Sequence, residues 1–182
     1  MRHGATEWSA AGRHTGRTDI ALTADGQRQA AALCPRLARG QFALALTSPL
    51  LRARETARIA GFADATVDAD MVEWDYGEYE GMTSLEIQER APGWTIWSGN
   101  PPGGETAAQV GARAERVLAR CARIEGRVLL VAHGHFLRVL TAVCLGFAPV
   151  DGARFALAPA GVGILGYEHD YRTLRCWDPD SG

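Results

Sequence analysis

The sequence begins Met1-Arg2-His3-Gly4, and three further stretches carry side chains of related chemistry. These are Arg52 in TSPLLRARETA (47–57), Glu73 in VEWDYGEYEGM (72–82), and His133 with His135 in VAHGHFLRVL (131–140). A guanidinium forks bidentately onto phosphate or carboxylate oxygens. An imidazole is a nucleophile or a hydrogen-bond donor, and a carboxyl set between Val72 and Trp74 is expected to carry a proton near neutral pH because apolar company disfavours its charge. Taken singly, each has a bland alternative: a lone Arg ends in a surface ion pair, a strand-end His in a structural contact, a loop Glu in water. Together, Arg2, His3, Arg52, Glu73 and His133 suit phosphoryl transfer. Fixed cations stabilise the charge on the equatorial oxygens without a metal, a histidine takes the phosphoryl group and splits hydrolysis into two displacements, and the carboxylic acid protonates the leaving oxygen.

A metal site competes for the same residues, since His133-Gly134-His135 is an H-x-H that with Glu73 or Asp75 supplies imidazole and carboxylate ligands. The sequence has no H-E-x-x-H and no second H-x-H, and two arginines would repel a cation. Phosphohistidine chemistry is the better reading, and no metal or cofactor is expected.

These residues can act together only if the fold gathers them. Thr23 predicts the N-cap of a helix whose stripe is Ala30, Leu33, Cys34 and Leu37, kinked at Pro35 and ended by Gly40. Residues 42–48 are an apolar run stopped by Pro49, hence a buried strand, and 51–61 return to helical spacing. A weaker strand follows at 66–72, then a short helix behind a Thr83/Glu86 capping box and a long helix over 105–124. Residues 127–133 give the strongest strand signal, 136–146 an apolar helix, and the tail two strands around a turn near His169 and Asp170. Alternating strands and helices predict one α/β domain over 1–182, a three-layer sandwich with a mostly parallel central sheet flanked by helices. Ligands of such sheets bind beyond the carboxyl ends of the strands, where Ser48–Arg52, Glu73 and His133–His135 fall.

Composition narrows the function classes. The 47% of apolar residues suffices for one core. The 19 basic residues, all Arg, nearly balance 21 acidic ones without any like-charge run, so neither nucleic acid nor an anionic membrane is an expected partner. Cys34, Cys121, Cys144 and Cys176 are widely spaced and read as buried free thiols. The sequence shows no secretory leader and no long apolar run, which predicts a cytoplasmic protein.

The three blocks above, with RHGATEWSAAGRHTGRTDIALTADGQRQA (2–30) and GGET (103–106), resemble the signature of the histidine phosphatase superfamily, also called phosphoglycerate mutase-like. The resemblance runs in family order over most of the chain and is closest to small bacterial acid phosphatases and the sedoheptulose-bisphosphatase-like branch. It implies that His3 is the nucleophile, that Arg2 and Arg52 clamp the phosphoryl oxygens, and that His133 donates a hydrogen bond to them. Glu73 is implied as proton donor and, in the second step, as activator of water. Ser9, Thr15, Gly16, Gly134 and His135 are implied as phosphate- or substrate-binding residues. The implied substrate is a small phosphate ester such as a sugar phosphate. A chain of 182 residues leaves little room for the lid with which mutases retain their monophosphoester, so a metal-independent phosphatase is favoured over a mutase. A phosphate-ligand binding module with little turnover is the other alternative, and a homodimer is allowed.

Ser9 and His135 depart from the family pattern, where many members carry Asn. The larger departure is that family members precede RHG with an apolar strand, whereas only Met1 precedes it here. The expectation is a truncated first strand, a nucleophile on a frayed end, and in-frame apolar codons upstream of Met1. Of the remaining residues, Trp8, Trp74, Trp94 and Trp97 are read as packing, Glu105 as a helix cap or the partner of a pocket Arg, and His14 and His169 as solvated histidines.

Overall fold

The computed structural model describes residues 1–177. Its centre is a parallel sheet of β1 (Leu44–Thr47), β2 (Thr66–Val67) and β3 (Val128–Val131) in the order β2-β1-β3. Leu44 pairs with Val128 and Thr47 with Val131, so the two central strands end level. Successive side chains leave a strand on opposite faces. Leu129 and Val131 accordingly join Ala53 and Ala57 of α3 (Leu51–Ile59) and Leu33 of α2 (Ala24–Leu33) in one core. Leu130 and Ala132 face the other core, with Val110, Ala114 and Val117 of α5 (Ala107–Cys121) and Phe136, Val139 and Leu140 of α6 (Gly134–Cys144). Helices thus cover both faces, the expected three layers. Two short helices, α1 (Glu7–Ala10) and α4 (Ser84–Arg90), lie in the connections, and β4 (Gly163–Glu168) pairs antiparallel with β5 (Tyr171–Trp177). The turn between them places His169 at a positive φ of 52° and leaves it exposed, as read from the sequence.

Residues 1–3 prolong the sheet beside β3 and are not frayed. Arg2 bridges Ala132 in parallel sense; the backbone nitrogen of Met1 donates to the carbonyl of Leu130, Ala132 donates to Met1, and His3 donates to Ala132. On their far side Arg2 donates to Gly161, and Ala160 donates to His3. Hydrogen bonds on both sides satisfy this buried backbone. Beside Met1, β3 and β4 border an apolar groove of about 550 Å³ whose walls include Leu118, Val128, Leu130 and Leu165.

Several local expectations are corrected. Helix α2 ends at Leu33, without a kink, because Pro35 has no N–H to continue it, and Gly40 sits in a separate 3-10 turn, Arg39–Gln41. Strand β2 is two residues long because the Asp68 carboxylate accepts from the backbone N–H of Asp70 and turns the chain into a 3-10 turn over Ala69–Met71. The Thr83/Glu86 capping box forms as expected. All four cysteines are free, but only Cys144 is buried and Cys34 is exposed. Among the described residues no helix is long and apolar enough to cross a membrane.

Candidate active site

The ends of β1 and β3 and the Arg2–Gly4 stretch beside them converge on one pocket. His3 is 4% exposed, and its Nδ1 lies 2.7 Å from the carbonyl oxygen of Gly4. A carbonyl only accepts, so Nδ1 carries the proton and Nε2 keeps the lone pair. Burial, then the charges of Arg2 and Arg52, holds the His3 pKa well below 6.5, so the ring is neutral at physiological pH. Gly4 makes this placement possible, because a Cβ there would lie 2.3 Å from the carbonyl oxygen of Gly26.

His133 sits at the N-cap of α6 with its ring 5.2 Å from that of His3. Its Nε2 meets the Ser48 hydroxyl at 2.7 Å, while its buried Nδ1 has no protein partner. Burial first, then Arg52, His3 and Arg2, lowers its pKa well below 6.5. Arg52, on the first turn of α3, is completely buried and donates to the carbonyls of Thr15, Gly16 and Thr18 at 2.9–3.0 Å; its Nε also has no protein partner. Arg2 donates to the carbonyl of Leu157 and passes so close to Gly134 that a Cβ there would lie 3.3 Å from its guanidinium carbon.

Glu73 is 6% exposed, but its setting is not the apolar one suggested by Val72 and Trp74. Its Oε1 accepts from the backbone N–H groups of Trp74 and Phe136 at 2.9 and 2.8 Å, and its Oε2 from His135 at 3.1 Å. The opening amides of α6 thereby aim the carboxylate. The stretch carrying it is fastened by Arg113, which the sequence reading overlooked: its guanidinium donates to the carbonyls of Asp70 and Val72 and forks onto Glu105 with two 2.8 Å bonds. Glu105 therefore pairs with a buried structural Arg, not a pocket Arg, and the same carboxylate also accepts from the N–H of Asp75.

Arg2, His3, Ser9, Thr15, Glu73, Gly134 and His135 all line an open pocket of about 200 Å³, whereas Arg52 and His133 are wholly buried beneath its surface. Gly16 is not brought to the pocket wall. Its N–H goes to Glu80 and its carbonyl to Arg52, so it braces the loop. The Ser9 hydroxyl is engaged in a capping box with Thr6, and that of Thr15 donates to the carbonyl of Arg13. The two imidazoles of the H-x-H separate, His133 to Ser48 and His135 to the Tyr76 hydroxyl.

His14 is corrected: it is 9% exposed, not solvated, and its ring stacks on that of His135 at 6.2 Å while Nδ1 meets the carbonyl of Met82. Trp94 and Trp97 back this wall, and Trp74 is wholly buried. Arg13, Tyr76, Ser84 and Arg138 complete a lining that the sequence did not signal, since each stands in a loop or on a helix face with no patterned neighbour.

Comparison with known proteins bears on this geometry. Residues 1–179 match the model of the histidine phosphatase superfamily (branch 1). An acid phosphatase of Mycobacterium tuberculosis is 39% identical over 96% of this chain and 88% of its own length. A sedoheptulose 1,7-bisphosphatase of Saccharomyces cerevisiae is 31% identical over 93% of this chain and 86% of its own. The solved structure of the M. tuberculosis open reading frame Rv3214 superposes with a TM-score of 0.93 at 38% identity, covering 97% of this chain and 94% of that one.

Proposed function

The chain belongs to the histidine phosphatase superfamily, and from that premise we propose that it hydrolyses small phosphate monoesters, sugar phosphates among them, through a phosphorylated His3 and without a metal. The observation that carries this reading is the neutral His3 ring, with its lone pair on Nε2, beside two buried nitrogens without protein partners, Nδ1 of His133 and Nε of Arg52. Leaving a buried polar group unpaired costs about 1–3 kcal/mol. Phosphoryl oxygens seated at His3 would satisfy both. With Nε2 of His133 accepting from Ser48, Nδ1 carries the proton and donates.

In the first step the Nε2 lone pair attacks phosphorus, the ester P–O bond breaks, and the leaving oxygen takes a proton from the Glu73 carboxyl. Arg2 and Arg52 hold the equatorial oxygens while charge builds on them. In the second step Glu73 takes a proton from water, the water oxygen bonds to phosphorus, and the P–N bond returns its electron pair to Nε2. Inorganic phosphate leaves, and the enzyme is restored.

The test is hydrolysis of an aryl phosphate and of sugar phosphates by the intact chain and by His3→Ala, with and without chelator, together with intact-mass analysis after a quench that avoids acid. The expected result is release of free inorganic phosphate unaffected by chelator, a mass increase of one phosphoryl group on the wild type, and neither signal from His3→Ala. Activity surviving in His3→Ala would overturn the mechanism. Phosphate kept on an organic acceptor would turn the reading toward a mutase.

A further inference from the structure

Two polar side chains, one from each of α2 and α3, reach the backbone beside His3, and the proposed reaction gives neither a task. Thr56 stands one turn after Arg52 in α3 and is wholly buried. Its hydroxyl donates to the carbonyl of Arg52 at 2.7 Å, the back-bond a helical threonine makes to the residue four before it. With its one proton committed, the oxygen can only accept, and it takes the N–H of Gly4 at 3.1 Å. Gln29 of α2 accepts the next N–H, that of Ala5, at 2.9 Å. Helix α2 comes close enough to do so because Gly26, three residues earlier on the same face, has no side chain: a Cβ there would lie 2.1 Å from the carbonyl oxygen of Ala5.

We propose that Gln29 and Thr56 are positioning residues, a two-point clamp on Gly4 that keeps the attacking lone pair of His3 on Nε2. This rests on the proposed phosphohistidine reading and deepens it. The carbonyl of Gly4, which lies 2.7 Å from Nδ1 of His3, shares a planar peptide unit with the N–H of Ala5, and the two bonds point in opposite directions. By holding that N–H at one end, Gln29 aims the carbonyl at the ring from the other. Thr56 holds the preceding peptide unit. Gly4 joins the two units, and a glycine turns about its backbone bonds at less cost than any other residue. With either hold released, the carbonyl is free to swing off Nδ1. The ring proton can then move to Nε2, and the atom that must attack phosphorus becomes a donor.

The experiment reads the tautomer directly. The chain has five histidines, so nitrogen-15 labelling of the imidazoles gives five ring systems, and the one missing from His3→Ala is that of His3. At about pH 8 the ring is neutral, and its two nitrogens report which of them carries the proton. The wild type is expected to show the proton on Nδ1. Gln29→Met and Thr56→Val keep much of the side-chain volume but remove the acceptor, and each should show a population with the proton on Nε2. Gln29→Glu and Thr56→Ser keep an acceptor and should return the wild-type pattern.

Turnover should follow the tautomer. Gln29→Met and Thr56→Val are expected to lower kcat/KM about tenfold, by the same factor on an aryl and on an alkyl phosphate, because the lost step is attack and not protonation of the leaving oxygen. The two acceptor-keeping variants should recover most of that loss. A role confined to packing would lower Tm in Gln29→Met and Thr56→Val and leave the ring as it is. An unchanged His3 tautomer in both of those variants would therefore overturn the proposal. If the tautomer moves while His3→Ala hydrolyses both esters as fast as the wild type, the nucleophile reading fails and the clamp stands.

Discussion

The floor of the pocket and its outer wall hold comparable numbers of cationic and imidazole groups but are built differently. On the floor, His3 and His133 follow the sheet directly, Arg52 is clamped by three loop carbonyls, and Glu73 by three amides. On the wall, His14 and His135 are each held by one side-chain hydrogen bond, to the Met82 carbonyl and the Tyr76 hydroxyl, and Arg138 by two carbonyls and a tryptophan ring. A group fixed by several backbone bonds cannot shift to suit a ligand, which is what stabilisation of a short-lived charge requires. A group fixed by one or two bonds can be exchanged without dismantling the sheet. The difference suits the floor to the proposed chemistry and makes the wall the part that can be exchanged at less cost to the fold.

The contrast breaks most easily at Glu73. Glu73→Gln is nearly isosteric and is expected to lower kcat about 10²–10⁴-fold on an alkyl phosphate, and much less on an aryl phosphate whose leaving oxygen needs no proton. Equal losses on both esters would remove the proton-transfer role. Next comes Arg52→Met, expected to cost about 10²–10³ in kcat, the usual effect of removing one donor to a developing charge. It would also lower thermal stability by leaving the carbonyls of Thr15, Gly16 and Thr18 without their donor. If Arg138→Gln were to reduce kcat as strongly on every substrate, floor and wall would not differ in kind.

The two regions also differ in how far the sequence disclosed them. Arg52, Glu73 and His133 were legible because each follows a short apolar run, and position at a strand end is a property of local sequence, whereas Arg2 and His3, preceded by Met1 alone, were legible only through the RHG motif. The helices of both outer layers were legible from their apolar stripes. His14, Tyr76 and Arg138 were not, because their meeting depends on how two loops fold back against α6. The Arg113–Glu105 pair joins a helix to the loop before it across eight residues and leaves no periodic trace. The length of β2 was overestimated because its apolar pattern is cut by the Asp68 turn. The setting of Glu73 was misread because the amides of a helix more than sixty residues away meet it.

Positioning gives a smaller effect than chemistry, and Arg113 isolates it. Arg113→Met keeps the volume of the side-chain stem but releases Asp70, Val72 and Glu105 together. The carboxyl of Glu73 then keeps its amides while its backbone loosens. The expected outcome is a fall in kcat of about tenfold with KM little changed, accompanied by a lower Tm. A pH–rate profile of unchanged shape would place Arg113 outside the proton-transfer step itself.

The smallest effect concerns stability, and it tests whether the floor imidazoles are neutral. His3 and His133 are held well below 6.5 when folded, by burial before any charge, and return to the ordinary value when unfolded. Between those values the unfolded chain binds more protons than the folded one, so the contribution of these rings to stability is complete above about pH 6.5 and is lost as the pH falls below it. His135 is lowered in the same way, so three such rings set a limiting slope of about 4 kcal/mol per pH unit. Denaturant unfolding at a series of pH values from neutral downward should show this loss, and His3→Ala should reduce the slope by about a third. A slope unchanged by that substitution would mean that His3 takes up its proton inside the fold. The lone pair on Nε2, and with it the proposed nucleophile, would then be absent in the acidic range.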